Sequence, residues 1–422
     1  MIPQPGLIPR TTFKPLGASV FVTLFFVVCF AAAADDKPAA GKADAAWHSG
    51  STVRLKSLEV NLSRPVNVFR SKGYVWFPCL YRHTNGDVLA FASNYPDIYQ
   101  KPTTCLASWS KNGGLTWSPS FEGFYGDILL PRPNGDVVWL PYYLYHRPDG
   151  VGNAYQVLKH GSQHIRQEPQ GLTITGWPRR DKRDPKVPEL FGFTFDGDAI
   201  PLKDGSYIAT LYGYFEGGKR SALGVAKSSD GVHWKYLATV ADENSPLDGE
   251  DGPSEPSLCR LKDGRIMCVF RTSSYVKYGQ AFSSDEGKTW GGTRRMDGPG
   301  SVQPSLVTLS DGMVCLSGGR PGLFLWFNAA GDGLSWEQVD LRANHNRAIP
   351  EEYIHESENI TEKTPFHHYR HETSSYTQTI ALDDSNLLVV YDRGPHGGEK
   401  IEKISPETNS LWVVRVELKR RK

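Results

Sequence analysis

The chain has almost no excess of charge of either sign. Its 422 residues carry 47 Lys and Arg against 46 Asp and Glu, a formal net charge of +1. Such a balance gives no basic face for a nucleic-acid backbone or an anionic membrane, and neither partner is expected. Cysteine is scarce: six in all, with Cys29 inside an apolar leading segment. The other five, Cys79, Cys105, Cys259, Cys268 and Cys315, are too few for a disulfide scaffold, and their odd number leaves at least one free thiol. No CxxC or HExxH spacing occurs, so no metal and no other cofactor is expected. Long stretches of 3.6-residue periodicity are missing as well, which weighs against a helical protein. Glycine (42), proline (29) and aromatics (11 Trp, 19 Tyr, 19 Phe) are plentiful, enough apolar and aromatic side chain to exclude a disordered chain.

The sequence has one long apolar run. Arg10 and Lys14 precede Leu16 to Ala34, which closes on four alanines before Asp35. This reads as a signal peptide over 1–34 and places the mature protein outside the cytoplasm, secreted or periplasmic. An uncleaved anchor is the alternative, because the run is long enough to cross much of a bilayer. Residues 35–50 are polar and rich in Ala and Gly, a linker. Residues 51–422 are left for the folded domain.

Within that domain one pattern recurs six times: an apolar strand, a turn of Asn-Gly or Asp-Gly type, and a second apolar strand. The turns fall at Asn85-Gly86, Asn134-Gly135, Asp204-Gly205, Asp263-Gly264, Asp311-Gly312 and, without glycine, Asp384-Ser385. Asp-Gly between apolar runs predicts a hairpin with a two-residue type I′ turn. Each hairpin is followed by room for two further strands. The expected fold is therefore all-β: a six-bladed β-propeller of four-stranded antiparallel blades. Its closure would pair the C-terminal strand Leu411 to Leu418 with the segment Val53 to Leu62. Cys259 and Cys268 flank one turn symmetrically; two buried thiols are expected there, with a cross-strand disulfide as the alternative.

A second signal lies between the hairpins. Ser283-Ser284-Asp285-Glu286-Gly287-Lys288-Thr289-Trp290, Ser110 to Trp117 and Ser228 to Trp234 share one pattern, and Gly331 to Trp336 is a degraded copy. Ser and Asp side chains there can bond nearby backbone groups while Gly takes a left-handed conformation and Trp packs beneath. This spacing resembles the Asp-box turn of sialidase-like propellers, and its role is expected to be structural.

Aligning the hairpins on their turns gives a candidate site. The position nine before the turn glycine holds Phe77, Gly126, Asp196, Glu255, Gln303 and Tyr376. The position seven after it holds Ser93, Tyr142, Tyr212, Arg271, Gly319 (with Arg320 next) and Asp392. In an antiparallel hairpin these two positions are neighbours at the end away from the turn. Together they form a polar ring of mixed charge, suited to a pocket on a propeller axis.

Over nearly the whole mature chain the sequence resembles the sialidase (neuraminidase) family. The resemblance rests on Glu255 and Arg271 sixteen residues apart in SEPSLCRLKDGRIMCVFR, on Arg320 in SGGRPGLFLWF, on Tyr376 followed by Asp392, and on Asp97 in SNYPDIYQKP. It implies a retaining glycoside hydrolase acting on a carbohydrate, a terminal acidic or modified sugar. In that scheme Tyr376 is the nucleophile, Glu255 takes its proton, and Asp97 is the acid/base. A neutral phenol is preferred to a carboxylate because a sialic acid carries its own carboxylate beside the reacting carbon; tyrosine nucleophiles are an exception to the two-carboxylate scheme. Arg271 and Arg320 would grip an acidic group, and Asp196 and Asp392 complete the substrate-binding set. The family's first blade opens with Tyr-Arg-Ile-Pro, but here Trp76 stands in the Arg position. Arg82, six residues on and roughly 20 Å along a strand, is too far to replace it. Trp76 is therefore expected to offer a flat face for stacking on a sugar, and ordinary sialosides are expected to be poor substrates. Two other readings stay open: a propeller glycosidase or lyase on a uronic-acid polysaccharide, and a non-catalytic carbohydrate-binding propeller.

Overall fold

The computed structural model describes residues 50–421 apart from 97, 98, 100, 248, 357–371 and 395–408. The expected signal peptide and nearly all of the linker lie outside the described residues. Among the described residues the domain is all-β with one eight-residue α-helix, Leu341–Ala348, capped by the Asp340 carboxylate accepting from Ala343 N at 2.8 Å.

All six expected hairpins form. Trp76–Arg82 pairs with Val88–Ser93, Leu129–Pro131 with Val137–Trp139, and Leu190–Pro201 with Tyr207–Gly213. Ser254–Arg260 pairs with Ile266–Arg271, Val302–Thr308 with Val314–Gly319, and Thr377–Ala381 with Asn386–Arg393. The expected two-residue turn is corrected. In the five glycine-bearing hairpins only the glycine takes positive φ, between 81° and 90°. The loop is three residues long: Gly264 N donates to Leu261 O at 2.9 Å and Leu261 N to Arg265 O at 2.8 Å. This is a type I turn followed by a left-handed glycine. The Asp or Asn before the glycine accepts from the backbone N–H two residues on, as Asp263 Oδ1 does from Arg265 N at 3.0 Å.

The longer loop shifts the register, so Cys259 faces Met267 and Leu258 faces Cys268. Cys259 packs with Met267 on one face of the hairpin and Cys268 with Leu258 on the other. No disulfide can join them, and all five described cysteines are free and buried.

Three of the hairpins extend into separate four-stranded antiparallel sheets. The last hairpin belongs to a six-stranded sheet in which Leu58–Leu62 pairs with Asn409–Arg420, Val60 opposite Leu418, and Val66–Ser71 adds to the same long strand. The two ends of the domain are thus joined as expected. The second and third hairpins do not stay in separate four-stranded sheets. They merge into a nine-stranded sheet through a parallel pairing of Ile165–Thr175 with His233–Ala241 and through Tyr143–Arg147, which bonds to both Leu190–Pro201 and Gly150–Leu158. Seven of these strands close a ring.

Among the described residues the core is divided into six apolar clusters, each at the seam between consecutive hairpins. Leu258, Cys268 and Phe270 pack on Ile208 and Val225, while Cys259, Met267 and Val269 pack on Leu306 and Leu316. Leu388 and Val390 pack on Leu80, Val88 and Ala90, so the last hairpin meets the first. The Ser-Asp-Gly-Trp turns form as the residues dictate. Ser283 Oγ accepts from Gly287 N at 2.9 Å, Asp285 accepts from Thr289 N at 2.9 Å, and Trp290 Nε1 donates to Gly287 O at 3.0 Å.

Candidate active site

A cavity of about 200 Å³ opens where the first strands of the hairpins begin. Eight of the twelve ring positions line it: Phe77, Asp196, Glu255, Gln303 and Tyr376 from the first strands, and Tyr142, Tyr212 and Arg271 from the second. The cause is local. Four first strands carry a β-bulge at this level, between Trp76 and Cys79, Phe195 and Ala199, Ser254 and Pro256, and Val302 and Ser305. A bulge re-aims the extra residue, here toward the cavity. Phe77 (φ 52°), Glu255 (φ 45°) and Ser375 (φ 63°) are held in the left-handed region that side chains rarely occupy, a cost of about 1–3 kcal/mol each that the surrounding sheet must sustain.

Tyr376, Glu255 and Arg271 meet inside this cavity. The Tyr376 hydroxyl donates to Glu255 Oε1 at 2.5 Å, and one Arg271 NH group donates to the same oxygen at 2.6 Å and to the Tyr376 oxygen at 3.2 Å. Gln303 N donates to Glu255 Oε2 at 3.0 Å. The other end of the guanidinium reaches Asp251 at 3.2 Å and Ser274 Oγ at 2.9 Å. Burial, and next the Glu255 charge, push the Tyr376 phenol well above its ordinary value, so it is neutral until a base accepts its proton. Burial also works against the Arg271 charge, but Glu255, Tyr376 and Asp251 outweigh it and hold the guanidinium protonated.

Asp196 lines the cavity as expected, only 3% exposed, and its Oδ1 has no hydrogen-bond partner. Burial raises its carboxyl strongly, reinforced by Asp127 and Glu255. Asp127, buried beside it, accepts from Gly197 N at 3.3 Å and Gln303 Nε2 at 3.4 Å; burial pushes it up to about 7. A carboxyl raised above its unfolded value of 3.8 gives stability that is complete below about pH 4 and is lost as pH rises through about 7. An asparagine in its place can keep both accepted bonds and never ionises. Thermal unfolding from pH 4 to 8 should therefore show wild type losing stability relative to Asp127→Asn as pH rises; parallel curves would remove the assignment.

Three expectations are corrected. Trp76 does not face the cavity. It is 3% exposed, its ring stacks on Tyr74 (5.3 Å) and Phe77 (5.0 Å), and its indole N–H donates to Tyr95 O at 2.7 Å. The bulge that follows it turns Phe77 inward instead. Arg320 does not line the cavity either. It donates to Ser374 O at 2.9 Å and to Ser274 Oγ at 3.4 Å, and its guanidinium lies 5.7 Å from the Tyr376 ring centre. Asp392, expected among the substrate-binding residues, does not line the cavity and is bonded instead to the chain just before Tyr376. It accepts from Thr373 Oγ1 (2.8 Å) and Ser374 N (2.9 Å), three and two residues before Tyr376, and burial raises it to about 6. Asp97 lies outside the described residues.

Tyr95, Tyr125 and Tyr143 also line the cavity and had no place in the alignment. The only signal for them was adjacency, Tyr125 beside Gly126 and Tyr143 beside Tyr142. Asp251 lies outside the aligned hairpin positions. Its contact with Arg271 arises only in the folded chain.

No family model and no curated protein matches the chain. Among solved structures it is similar to a protein of unknown function from Dyadobacter fermentans, with a TM-score of 0.62 and 18% identity over 85% of this chain and 99% of that one. It is also similar to the Penicillium chrysogenum α-L-arabinanase complexed with arabinobiose (TM-score 0.52, 13% identity, 84% and 98% covered). A third similar structure is the NanB sialidase of Streptococcus pneumoniae (TM-score 0.51, 16% identity, 84% and 70% covered). At these identities the likeness is one of fold.

Proposed function

We propose that the protein is an exported six-bladed β-propeller glycosidase that removes a terminal sugar with retention of configuration. The observation that carries this is the Tyr376 hydroxyl 2.5 Å from Glu255 inside a cavity of sugar size. The six seam clusters, the last closing on the first, support the six-blade count, and the leading apolar segment with its alanine-rich end supports export. Tyr376 Oη attacks the anomeric carbon as its proton passes to Glu255, and the bond to the leaving oxygen breaks. Asp97 gives that oxygen its proton and then takes one from the water that hydrolyses the glycosyl-tyrosine. Arg271 steadies the Glu255 charge before attack and the phenolate oxygen during it.

A sialidase-like substrate would need cations free to hold its carboxylate. Arg271 is already paired with Glu255 and Asp251, Arg320 is bonded to Ser374 O and Ser274 Oγ and does not line the cavity, and Trp76 replaces the first arginine. These pairings favour a second reading within the same chemistry, a neutral terminal sugar such as the arabinose units of the arabinobiose bound by one structural neighbour. Incubation with 2-deoxy-2-fluoro-arabinofuranosyl fluoride and with 3-fluoro-sialosyl fluoride, followed by peptide mass spectrometry, should find the label on Tyr376, and the sugar that labels identifies the class. An unsaturated product absorbing in the ultraviolet, or binding without turnover or label, would replace the hydrolase reading with a lyase or a binding propeller.

A further inference from the structure

A second cavity, of about 160 Å³, adjoins the first. Tyr125 and Tyr143 line both. The remainder of its wall includes Tyr145, Tyr155, Trp139 and the amide of Gln156. We propose that this cavity is a second sugar-binding subsite, which seats the unit on the leaving-group side of the cleaved bond, so that the natural substrate is a di- or oligosaccharide. The proposal deepens the glycosidase reading and rests on it.

Three independent observations point the same way. The first is shape and continuity. The two cavities share Tyr125 and Tyr143 in their walls, so they are immediate neighbours, as adjacent subsites must be. The second is chemistry. Aromatic faces take up the C–H face of a sugar ring while side-chain amides meet its hydroxyls, a combination suited to a polar ligand with apolar faces.

The third is Gln156. It is only 7% exposed, and its Oε1 has no hydrogen-bond partner. A buried amide oxygen left unpaired is costly, and native interiors rarely leave one without a reason. A sugar hydroxyl entering the cavity can donate to it. The amide of Asn153 is not free in this way: Asn153 Nδ2 donates to Tyr143 O at 2.9 Å, and its Oδ1 accepts from Ala154 N at 2.7 Å.

The backbone is shaped around this place. The strand Gly150–Leu158 shifts register between Asn153 and Tyr155, and the strand Tyr143–Arg147 shifts between Tyr143 and Tyr145. In both pairings the extra residues lie on the partner strand, Glu168 to Leu172 and Leu190 to Thr194, so the ladder is interrupted beside Tyr143 and Tyr155 and leaves room there. Asn153, which lies between these segments, bonds to the backbone of Tyr143 and locks them together.

The test compares the affinity of a disaccharide with that of its own non-reducing monosaccharide, by calorimetry on the full chain made inert by Tyr376→Phe. The probes are arabinobiose with arabinose, 3′-sialyllactose with sialic acid, and digalacturonic acid with galacturonic acid. For the pair that binds, the disaccharide should bind at least tenfold more tightly than the monosaccharide. That ratio should fall toward one in Gln156→Leu and in Tyr155→Ala, each checked for an unchanged thermal transition. Tyr155 is half-buried, so its truncation keeps the test open if the buried Gln156 variant fails to fold. A ratio near one in the parent protein, or a ratio that neither folded variant lowers, overturns the subsite while leaving the glycosidase reading intact. Absence of binding to all six probes overturns both.

Discussion

Tyr376→Phe should lower kcat about a thousandfold or more, equivalent to roughly 4 kcal/mol of transition-state stabilisation, on whichever glycoside the wild-type protein cleaves. The substitution removes a single oxygen. The ring stays, with Phe77 edge-on at 4.8 Å and Arg320 at 5.7 Å. Glu255 also keeps Arg271 at 2.6 Å and Gln303 N at 3.0 Å. Thermal stability and substrate binding should therefore stay close to wild type while turnover collapses. That split separates a nucleophile from a residue that merely shapes the pocket, since a shaping residue would move KM instead. Normal turnover by the Tyr376→Phe variant would end the assignment, and Glu255 would then need another partner.

Arg271→Ala should be the most destabilising single change at the site. It leaves the Glu255 carboxylate buried, beside Asp196, with no counter-charge. Breaking one partner of a buried ion pair costs about 3–5 kcal/mol, far more than a surface pair. The Asp251 end of the same guanidinium is half exposed and should contribute little. Chemical denaturation should show the loss, and activity should fall with it because Gln303 N alone then holds Glu255 toward Tyr376. If the cause is the stranded charge, Glu255→Gln placed on top of Arg271→Ala should restore part of the stability, a non-additivity expected only of residues in contact. Simple addition of the two losses would show that Arg271 acts through packing alone. Arg271→Lys, which keeps the charge but not the planar fork, should fall between wild type and alanine.

The sequence by itself determined the hairpins, because a turn motif between apolar runs acts over a few residues and needs nothing distant. It determined the Ser-Asp-Gly-Trp turns for the same reason. It also placed most of the cavity wall: once the hairpins are in register, Glu255, Arg271, Asp196 and Tyr376 must lie at the same level. What it could not supply was one-residue detail. The three-residue turn separates Cys259 from Cys268, and the bulge after Trp76 buries that indole and presents Phe77, because in a strand a shift of one residue reverses the face a side chain occupies. Partners from distant segments were equally hidden. Asp251 on Arg271, Asp392 on the loop before Tyr376, and the merging of the second and third hairpins into one sheet depend on long-range packing that no local pattern encodes. The tertiary structure alone decided that the arginines are engaged by protein groups, and so turned a ring of polar residues into a site with one neutral phenol set against one paired carboxylate.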